Sequence, residues 1–104
     1  MAQVRWTVGA RTDLREIVEF IARDSETYAT VTADRILGAV ERLERHPRLG
    51  RVVPEYRSSH LRELIVGRHR VVYWVSARDV AVLAVVDASR DLLRQLGDQP
   101  WRVK

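Results

Sequence analysis

The stretch LRELIVGRHRVVYWVSARDVAVLAVV, residues 61–86, predicts three consecutive β-strands. The first strand covers residues 61–66 and ends at a glycine. The second covers residues 70–75, where valine, tyrosine and tryptophan are strong strand formers. After a tight turn at residues 77–79, the third covers residues 80–86 and is apolar on both faces. Such a strand is buried on both sides, so we expect it in the centre of the sheet.

Two amphipathic helices are predicted before these strands. The first follows a short β-prone stretch, residues 3–7, and either Thr7 or Thr12 is its N-cap. Residues 24–28 separate it from the second helix, which ends at Pro47. Because the link is short, the two helices are expected to form an antiparallel hairpin. Their apolar residues recur at helical spacing: Ala10, Leu14, Ile17, Val18 and Ile21, then Ala33, Ile36, Leu37, Val40 and Leu43.

The element order is therefore β-α-α-β-β-β, with a possible C-terminal helix at residues 89–96 capped by Ser89. This order predicts an α+β fold, in which a small antiparallel sheet carries a helical hairpin on one face. The first strand must join the sheet, because nothing else in two layers buries Trp6. Residues 1–104 are expected to form a single domain, with residues 97–104 as a loose tail.

Composition excludes several classes of protein. Hydrophobic residues are 46% of the chain and charged residues 31%, as in ordinary soluble domains, and no apolar run approaches the roughly 20 residues of a membrane span. The chain has no cysteine for disulfides or thiolate chemistry. His46, His60 and His69 do not have metal-ligand spacing. Because the first residues also lack the pattern of a secretory signal, we expect a cytoplasmic protein without a metal or other cofactor.

Basic charge is concentrated in the middle of the chain. The net charge is +4, from 18 basic and 14 acidic side chains. Residues 48–78 contain seven arginines against two carboxylates, Glu55 and Glu63, a net charge of +5. This concentration suggests an anionic partner, and a solvated arginine surface is the alternative.

The sequence contains no glycine-rich phosphate loop, Ser-His-Asp arrangement or pair of catalytic carboxylates. Arginine, however, can hold a phosphodiester and stabilise the charge of its transition state. Arg62 and Arg70 are predicted to project from strands, outside the helix-covered face, and to be dispensable for the core. If the chain cleaves RNA, the predicted site is Arg62, Arg70, Glu55 and Arg90. Glu63 is expected instead to pair with a neighbouring strand.

Short motifs extend along most of the chain, from residue 4 to about residue 92. They are VRWT at 4–7, PRLGRVVPE at 47–55, LREL at 61–64, RVVY at 70–73 and SRD at 89–91. In this order they resemble RelE/ParE-family toxins of bacterial type II toxin–antitoxin systems. The resemblance implies a toxin neutralised by a cognate antitoxin, usually encoded beside it, that lays an acidic amphipathic segment over the toxin.

This family divides by target. RelE-type members cleave messenger RNA in the ribosome, whereas ParE-type members inhibit DNA gyrase and are not nucleases. Here the loop contains arginine where RelE-type sites commonly have lysine, Asp87 stands where a histidine could end the last strand, and no tyrosine follows Tyr73. The resemblance therefore implies a ParE-like gyrase inhibitor, more consistent with an inhibitor than with an enzyme. A RelE-like ribosome-dependent endoribonuclease and an inactive antitoxin-binding member are the alternatives within the family.

Outside this family, the alternative function is that of a plain nucleic-acid-binding domain. Aromatic residues on which bases could stack, however, are not interleaved with the arginines. Trp101 is a large apolar residue in a polar tail, which often marks a contact. The residues predicted to contact the target or the antitoxin are Arg48, Arg51, Arg57, Arg62, Arg70, Arg90 and Trp101.

Overall fold

A computed structural model describes residues 1–97 of the chain. A single 3₁₀ turn, Arg42–Glu44, follows the second helix. None of the helices in the described part is long and apolar enough to cross a membrane. The elements in chain order are β1 Gln3–Trp6, α1 Val8–Ala22, α2 Glu26–Glu41, β2 Arg51–Val52, β3 Leu61–Val66, β4 His69–Ser76, β5 Asp79–Asp87 and α3 Leu92–Leu96.

The five strands form one sheet in the order β1-β5-β4-β3-β2. β3, β4 and β5 pair as an antiparallel meander, which confirms the three strands predicted from residues 61–86. β1 joins the sheet as expected, but it runs parallel to β5, from Gln3 opposite Asp79 to Trp6 opposite Val82. The sheet is therefore mixed rather than antiparallel throughout. The helical hairpin between β1 and the meander is a crossover long enough to permit parallel pairing.

A further short strand lies where the sequence predicted only a loop. Arg51 of β2 pairs with Glu63, and Val52 pairs with Arg62. Two residues carry no readable periodicity, so the pattern could not reveal this strand. Gly50 precedes it in close contact with β3, where a Cβ atom would lie 2.4 Å from the backbone oxygen of Glu63. Only glycine fits this approach without displacing the backbone.

Side chains cap both long helices. Thr7 caps α1, because its Oγ1 accepts from the Ala10 N–H at 3.2 Å and donates to the Val82 carbonyl at 2.8 Å. Of the two predicted N-caps, Thr7 and Thr12, Thr7 is therefore the one that caps α1. Ser25 caps α2 by accepting from the Tyr28 N–H at 3.0 Å. The Thr7 cap also connects the start of α1 to β5, so the hairpin is anchored beside the end of β1.

The helical hairpin covers one face of the sheet, as predicted. Ala10 of α1 and Ile36 of α2 are fully buried against Val71, Val82 and Val85 of the central strands. Burying an isoleucine or valine side chain contributes roughly 1.5–3 kcal/mol. The apolar stripes of the two helices therefore supply the main adhesion of this layer.

The opposite face of the sheet is covered by a loop and the short helix α3. Val53 and Tyr56 from the loop and Leu92 from α3 pack onto the strands. Asp91, rather than the predicted Ser89, caps α3 by accepting from the Leu93 N–H at 3.0 Å. The Ser89 hydroxyl instead donates to Asp87 at 2.6 Å, so it is engaged in the turn before the helix.

Candidate functional site

Arg70 occupies the centre of a buried charge network on the sheet face opposite the helical hairpin. Its Nε donates to a carboxylate oxygen of Glu63 at 2.6 Å. Its two terminal nitrogens donate to the two carboxylate oxygens of Glu55 at 2.8 Å each. Arg70 is 5% exposed and Glu63 is 1% exposed. The prediction that Arg70 projects outside the helix-covered face is confirmed, but the expectation that it is dispensable for the core is wrong, because its side chain is buried and paired.

Glu63 connects three strands through this network. One carboxylate oxygen accepts from Arg70 of β4, and the other accepts from the Arg51 Nε of β2 at 2.6 Å. The prediction that Glu63 pairs with a neighbouring strand is confirmed. The network thus consists of Arg51, Glu55, Glu63 and Arg70, two positive and two negative charges. Buried charges are tolerated when each is paired and hydrogen-bonded in this way.

The network also holds the C-terminal segment. Arg70 donates to the Arg90 carbonyl at 3.3 Å, and Glu55 accepts from the Leu92 N–H at 3.3 Å. The Tyr56 hydroxyl donates to the Gly97 carbonyl at the end of α3. A segment with little apolar area of its own is therefore held by hydrogen bonds to buried charges.

The hydrogen bonds from Arg70 lower the pKa of Glu55 to about 2, against the smaller opposing effect of burial. The same contacts raise the pKa of Arg70 above its ordinary value. A general acid or base works best when its pKa lies near the working pH. Neither Glu55 nor Arg70 meets that condition near neutral pH.

Arg62 lies on the other face of the sheet from Arg70. It stands opposite Tyr73, whose ring is buried on the helix side. Its guanidinium donates to the carbonyls of Ser59 at 3.0 Å and Gly50 at 2.9 Å. Residues directly opposite each other on neighbouring strands share a face. The prediction that Arg62 projects outside the helix-covered face is therefore wrong, and the two arginines do not form the single site that the sequence suggested.

The other predicted contact residues are distributed over the surface. Arg48, Arg57 and Arg90 are exposed. The Arg51 side chain is 62% exposed although it pairs with Glu63. Trp101 lies outside the described residues. Because the four charges of the network cancel, the net charge of residues 48–78 belongs to the arginines outside it: Arg48, Arg57, Arg62, Arg68 and Arg78.

A cleft of about 630 Å³ opens between β1, α1 and α2, and we call it the hairpin cleft. Its apolar lining includes Leu37, which is 47% exposed. The apolar spacing of α2 predicts that residue in the core stripe, so the sequence did not lead us to expect the cleft. Arg11 and Arg15 are four residues apart and therefore share one face of α1, and this spacing was the sequence feature that could have indicated the cleft. The hairpin cleft is lined by Arg5, Trp6, Arg11, Leu14, Arg15, Val18, Glu19 and Leu37.

A second cleft of about 510 Å³ lies between α1 and the end of β5, and we call it the β5-edge cleft. On its helical side, the Asp13 carboxylate accepts from the Val85 N–H at 3.0 Å. Burial raises the pKa of Asp13. Arg68 and Arg90 also line the cleft, beside the turns that flank β4 and β5. No sequence motif indicated this arrangement.

The ring of His60 makes structural contacts. The His60 ring stacks on Trp74 with 5.0 Å between centroids, and its Nδ1 lies 2.8 Å from the Val75 carbonyl oxygen. Burial lowers the pKa of His69. Within residues 1–97, no three side chains of histidine, cysteine, aspartate or glutamate are grouped so that they could hold a metal ion.

Residues 4–92 match the sequence profile of a family described as the ParE toxin of the type II toxin–antitoxin system parDE. The match covers most of the chain, including the hairpin, the sheet and the start of α3. The chain belongs to the ParE toxin family. The resemblance inferred from the short motifs is thereby confirmed for the family.

Two solved structures share the fold of this ParE-family chain. A chain of the chromosomal ParDE system from P. aeruginosa is 19% identical, with a TM-score of 0.68 over 84% of this chain and 96% of that one. A chain of the RelBE2 toxin–antitoxin complex from Mycobacterium tuberculosis is 22% identical, with a TM-score of 0.56 over 83% and 96%. No curated protein sequence matches the chain. At these identities the likeness shows the α+β fold.

Proposed function

We propose that this ParE-family toxin arrests growth by binding and inhibiting DNA gyrase, and that it has no ribonuclease activity. The observation that carries the proposal is the neutralisation of Arg70 by Glu55 and Glu63. A guanidinium that is 5% exposed and already paired with two carboxylates is not available to a phosphodiester.

The rest of the alternative ribonuclease site is equally unsuited to RNA cleavage. Glu55 has a pKa of about 2, so it is a weak base for a 2′-hydroxyl. Arg62 projects from the other face of the sheet and is bonded to backbone carbonyls. Of the four predicted catalytic residues, only Arg90 has an exposed side chain outside the network. One arginine without a proton-transfer partner favours a binding protein over a nuclease.

We also propose that a cognate antitoxin neutralises the toxin by docking an acidic amphipathic helix in the hairpin cleft. The related structures named above belong to toxin–antitoxin systems. The cleft combines an apolar lining with three arginines, Arg5, Arg11 and Arg15, against the single carboxylate of Glu19. An apolar groove with a basic lining is complementary to a helix that has one apolar and one acidic face.

Pulse-labelling after induction of the toxin separates the two targets. Cells receive labelled thymidine and labelled methionine in parallel within minutes of induction, and purified toxin is added to gyrase supercoiling reactions. The proposal expects thymidine incorporation to fall while methionine incorporation continues, together with inhibition of supercoiling. An early fall in methionine incorporation with cleaved messenger RNA contradicts it and favours the RelE-like reading. Unaffected growth without antitoxin indicates the inactive antitoxin-binding member.

A further inference from the structure

Four arginines are brought together where α2 ends and the chain turns toward β2. Arg42 begins the 3₁₀ turn that follows α2, and the Arg45 N–H donates to the Arg42 carbonyl at 3.2 Å. In a 3₁₀ turn the side chains of residues i and i+3 lie one above the other, so these two arginines share one side of the turn. A second turn, closed by the bond from the Leu49 N–H to the His46 carbonyl at 3.0 Å, contains Arg48. We call the four residues the arginine surface: Arg42, Arg45, Arg48 and Arg62.

Arg62 joins this surface from β3. Its Nη1 donates to the Gly50 carbonyl at 2.9 Å and to the Arg48 carbonyl at 3.4 Å, and its Nε donates to the Ser59 carbonyl at 3.0 Å. The backbone therefore fixes the orientation of the guanidinium, but the carbonyl oxygens have no formal charge with which to neutralise it. Within residues 1–97, Nη2 makes no hydrogen bond and is available to a ligand.

The charges of Arg48 and Arg62 act on the same buried hydroxyl. That hydroxyl belongs to Tyr73 and accepts from the Gly50 N–H at 2.9 Å. Burial raises the pKa of Tyr73, against the opposing effects of this hydrogen bond and of the charges on Arg62 and Arg48. The two guanidiniums therefore lie near one another, and an anion bound between them would relieve their mutual repulsion.

The positive charges of the arginine surface are not neutralised by carboxylates of the described residues. The arginines that form ion pairs within residues 1–97 are Arg51 and Arg70, and neither belongs to the surface. Glu41 and Glu44 are close in sequence, but they form no ion pair within the same range. The members of the surface at residues 42, 45 and 48 are exposed. The surface is thus suited to a partner that carries several negative charges.

The composition of the surface favours a duplex phosphate backbone over an acidic face of a protein. A protein interface normally has an apolar core, whereas Leu49 is the one exposed large apolar side chain among residues 42–50. Guanidinium groups bind phosphate bidentately, and each neutralised phosphate releases counterions whatever the base sequence. Single strands are held largely by stacking on aromatic side chains, but contacts to a duplex backbone require none. The absence of aromatic residues between the arginines is therefore compatible with duplex DNA.

We propose that the arginine surface binds the phosphate backbone of duplex DNA, the substrate on which gyrase acts, so that the toxin contacts the DNA as well as the enzyme. This inference rests on the proposed function for the role of gyrase. The three exposed arginines and Nη2 of Arg62 supply four phosphate contacts. The surface shares no residue with the hairpin cleft, so DNA binding and antitoxin binding can be impaired separately.

The salt dependence of DNA binding tests the surface directly. Fluorescence anisotropy of a short labelled duplex of arbitrary sequence gives the affinity of the full-length toxin between about 50 and 200 mM salt. Four phosphate contacts predict a loss of roughly a hundredfold over this range, because each contact adds about 0.9 to the slope of log K against log salt. Arg45→Gln combined with Arg48→Gln leaves two contacts, for which the expected loss is roughly tenfold.

A double variant in the hairpin cleft is the matched control. Arg11→Gln combined with Arg15→Gln removes the same charge from α1 and is expected to keep the wild-type slope for DNA. Both double variants should melt at the wild-type temperature, because all four side chains are exposed. Equal slopes for the two double variants, or no binding of the duplex by the wild-type toxin at about 50 mM salt, overturn the proposal.

Supercoiling assays connect the surface to gyrase. The half-inhibitory concentration of the Arg45→Gln, Arg48→Gln toxin is expected to rise by the factor by which its DNA affinity falls. The control variant should inhibit like the wild type, and its affinity for the product of the adjacent gene should be reduced instead.

The inference and the proposed function fail in different ways. If the Arg45→Gln, Arg48→Gln toxin loses inhibition but binds the duplex as tightly as the wild type, the surface contacts gyrase itself and the DNA proposal is wrong. If the wild-type toxin binds the duplex through this surface but does not inhibit supercoiling, the arginine surface stands as a DNA-binding site and the proposed gyrase inhibition is wrong.

Discussion

The sheet is covered on one face by two regular helices and on the other by a loop and one short helix. On the helical face, Ala10 and Ile36 pack against valines, and the contacts are apolar. On the other face, part of the cover is apolar, but Arg70 and two carboxylates lie beneath it and bond to its backbone. The same strands therefore support two kinds of packing.

The difference shows how irregular segments are held in place. A helix of 15 or 16 residues presents a continuous apolar stripe, and burial of that stripe supplies its main adhesion to the sheet. α3 has five residues and cannot bury a comparable area. Glu55 accepts a hydrogen bond from this segment and Arg70 donates one to it, and these bonds hold the segment where its buried apolar area is small. The loss of a network residue should thus affect stability differently from the loss of a core side chain.

Arg70→Met is expected to have the largest effect on stability. It leaves the fully buried Glu63 and the neighbouring Glu55 without their shared cation, which typically lowers the free energy of unfolding by about 3–5 kcal/mol. Arg51→Met is the matched control, because Arg51 pairs with the same carboxylate but its side chain is 62% exposed. The control should change the unfolding free energy by less than about 1 kcal/mol. Urea titration of both variants measures the difference, and equal losses would contradict a buried network centred on Arg70.

Ile36→Ala is expected to have the next largest effect, on the helical face. The side chain is fully buried, and truncation of a buried isoleucine lowers the free energy of unfolding by about 3 kcal/mol. Leu37→Ala, one residue further along and half exposed, should change it by less than about 1 kcal/mol. If Leu37→Ala destabilises the free toxin as strongly as Ile36→Ala, Leu37 is part of the core and its assignment to the lining of an open hairpin cleft is wrong.

Glu55→Gln is expected to have the smallest effect, and this effect depends on pH. At neutral pH the loss of the charge-assisted bonds to Arg70 should cost about 1–2 kcal/mol. The pKa of Glu55 is about 2 in the folded protein and 4.5 ordinarily, so its contribution is present above pH 4.5 and is lost as the pH falls toward 2. Urea titrations at pH 7, 4 and 2.5 should show the two proteins converging. A difference that stays constant with pH would mean that the Glu55 charge does not hold the C-terminal segment.

Much of the fold could be predicted because its elements are long and regular. The three strands of residues 61–86 and both helices follow from local patterns of side chains, which left the cap of α1 open between Thr7 and Thr12. β2, the Asp91 cap and the parallel pairing of β1 could not be read in this way. Two residues or a single cap are too short for periodicity, and strand direction depends on where a long crossover returns.

Less of the site could be predicted. The basic character of residues 48–78 was visible, but the sequence placed Arg62 and Arg70 in one group. Side chains alternate between the two faces of the sheet along β3 and β4. Arg62, which pairs with Tyr73, and Arg70, which pairs with Ile65, therefore lie on opposite faces. The pairing of Glu63 was predicted from its strand position, whereas the role of Glu55 required the path of the loop.

The sequence by itself determined the order of helices and strands, the apolar stripes, the excess of arginine and the family motifs. These properties are local, since each depends on residues within a few positions of one another. Only the tertiary structure decided which arginine is buried, which carboxylates neutralise it and how α1 meets the end of β5. Those outcomes depend on contacts between residues 7 to 72 positions apart, such as Glu63 with Arg70 and Asp13 with Val85. Contacts at that separation form only when the strands are assembled in register.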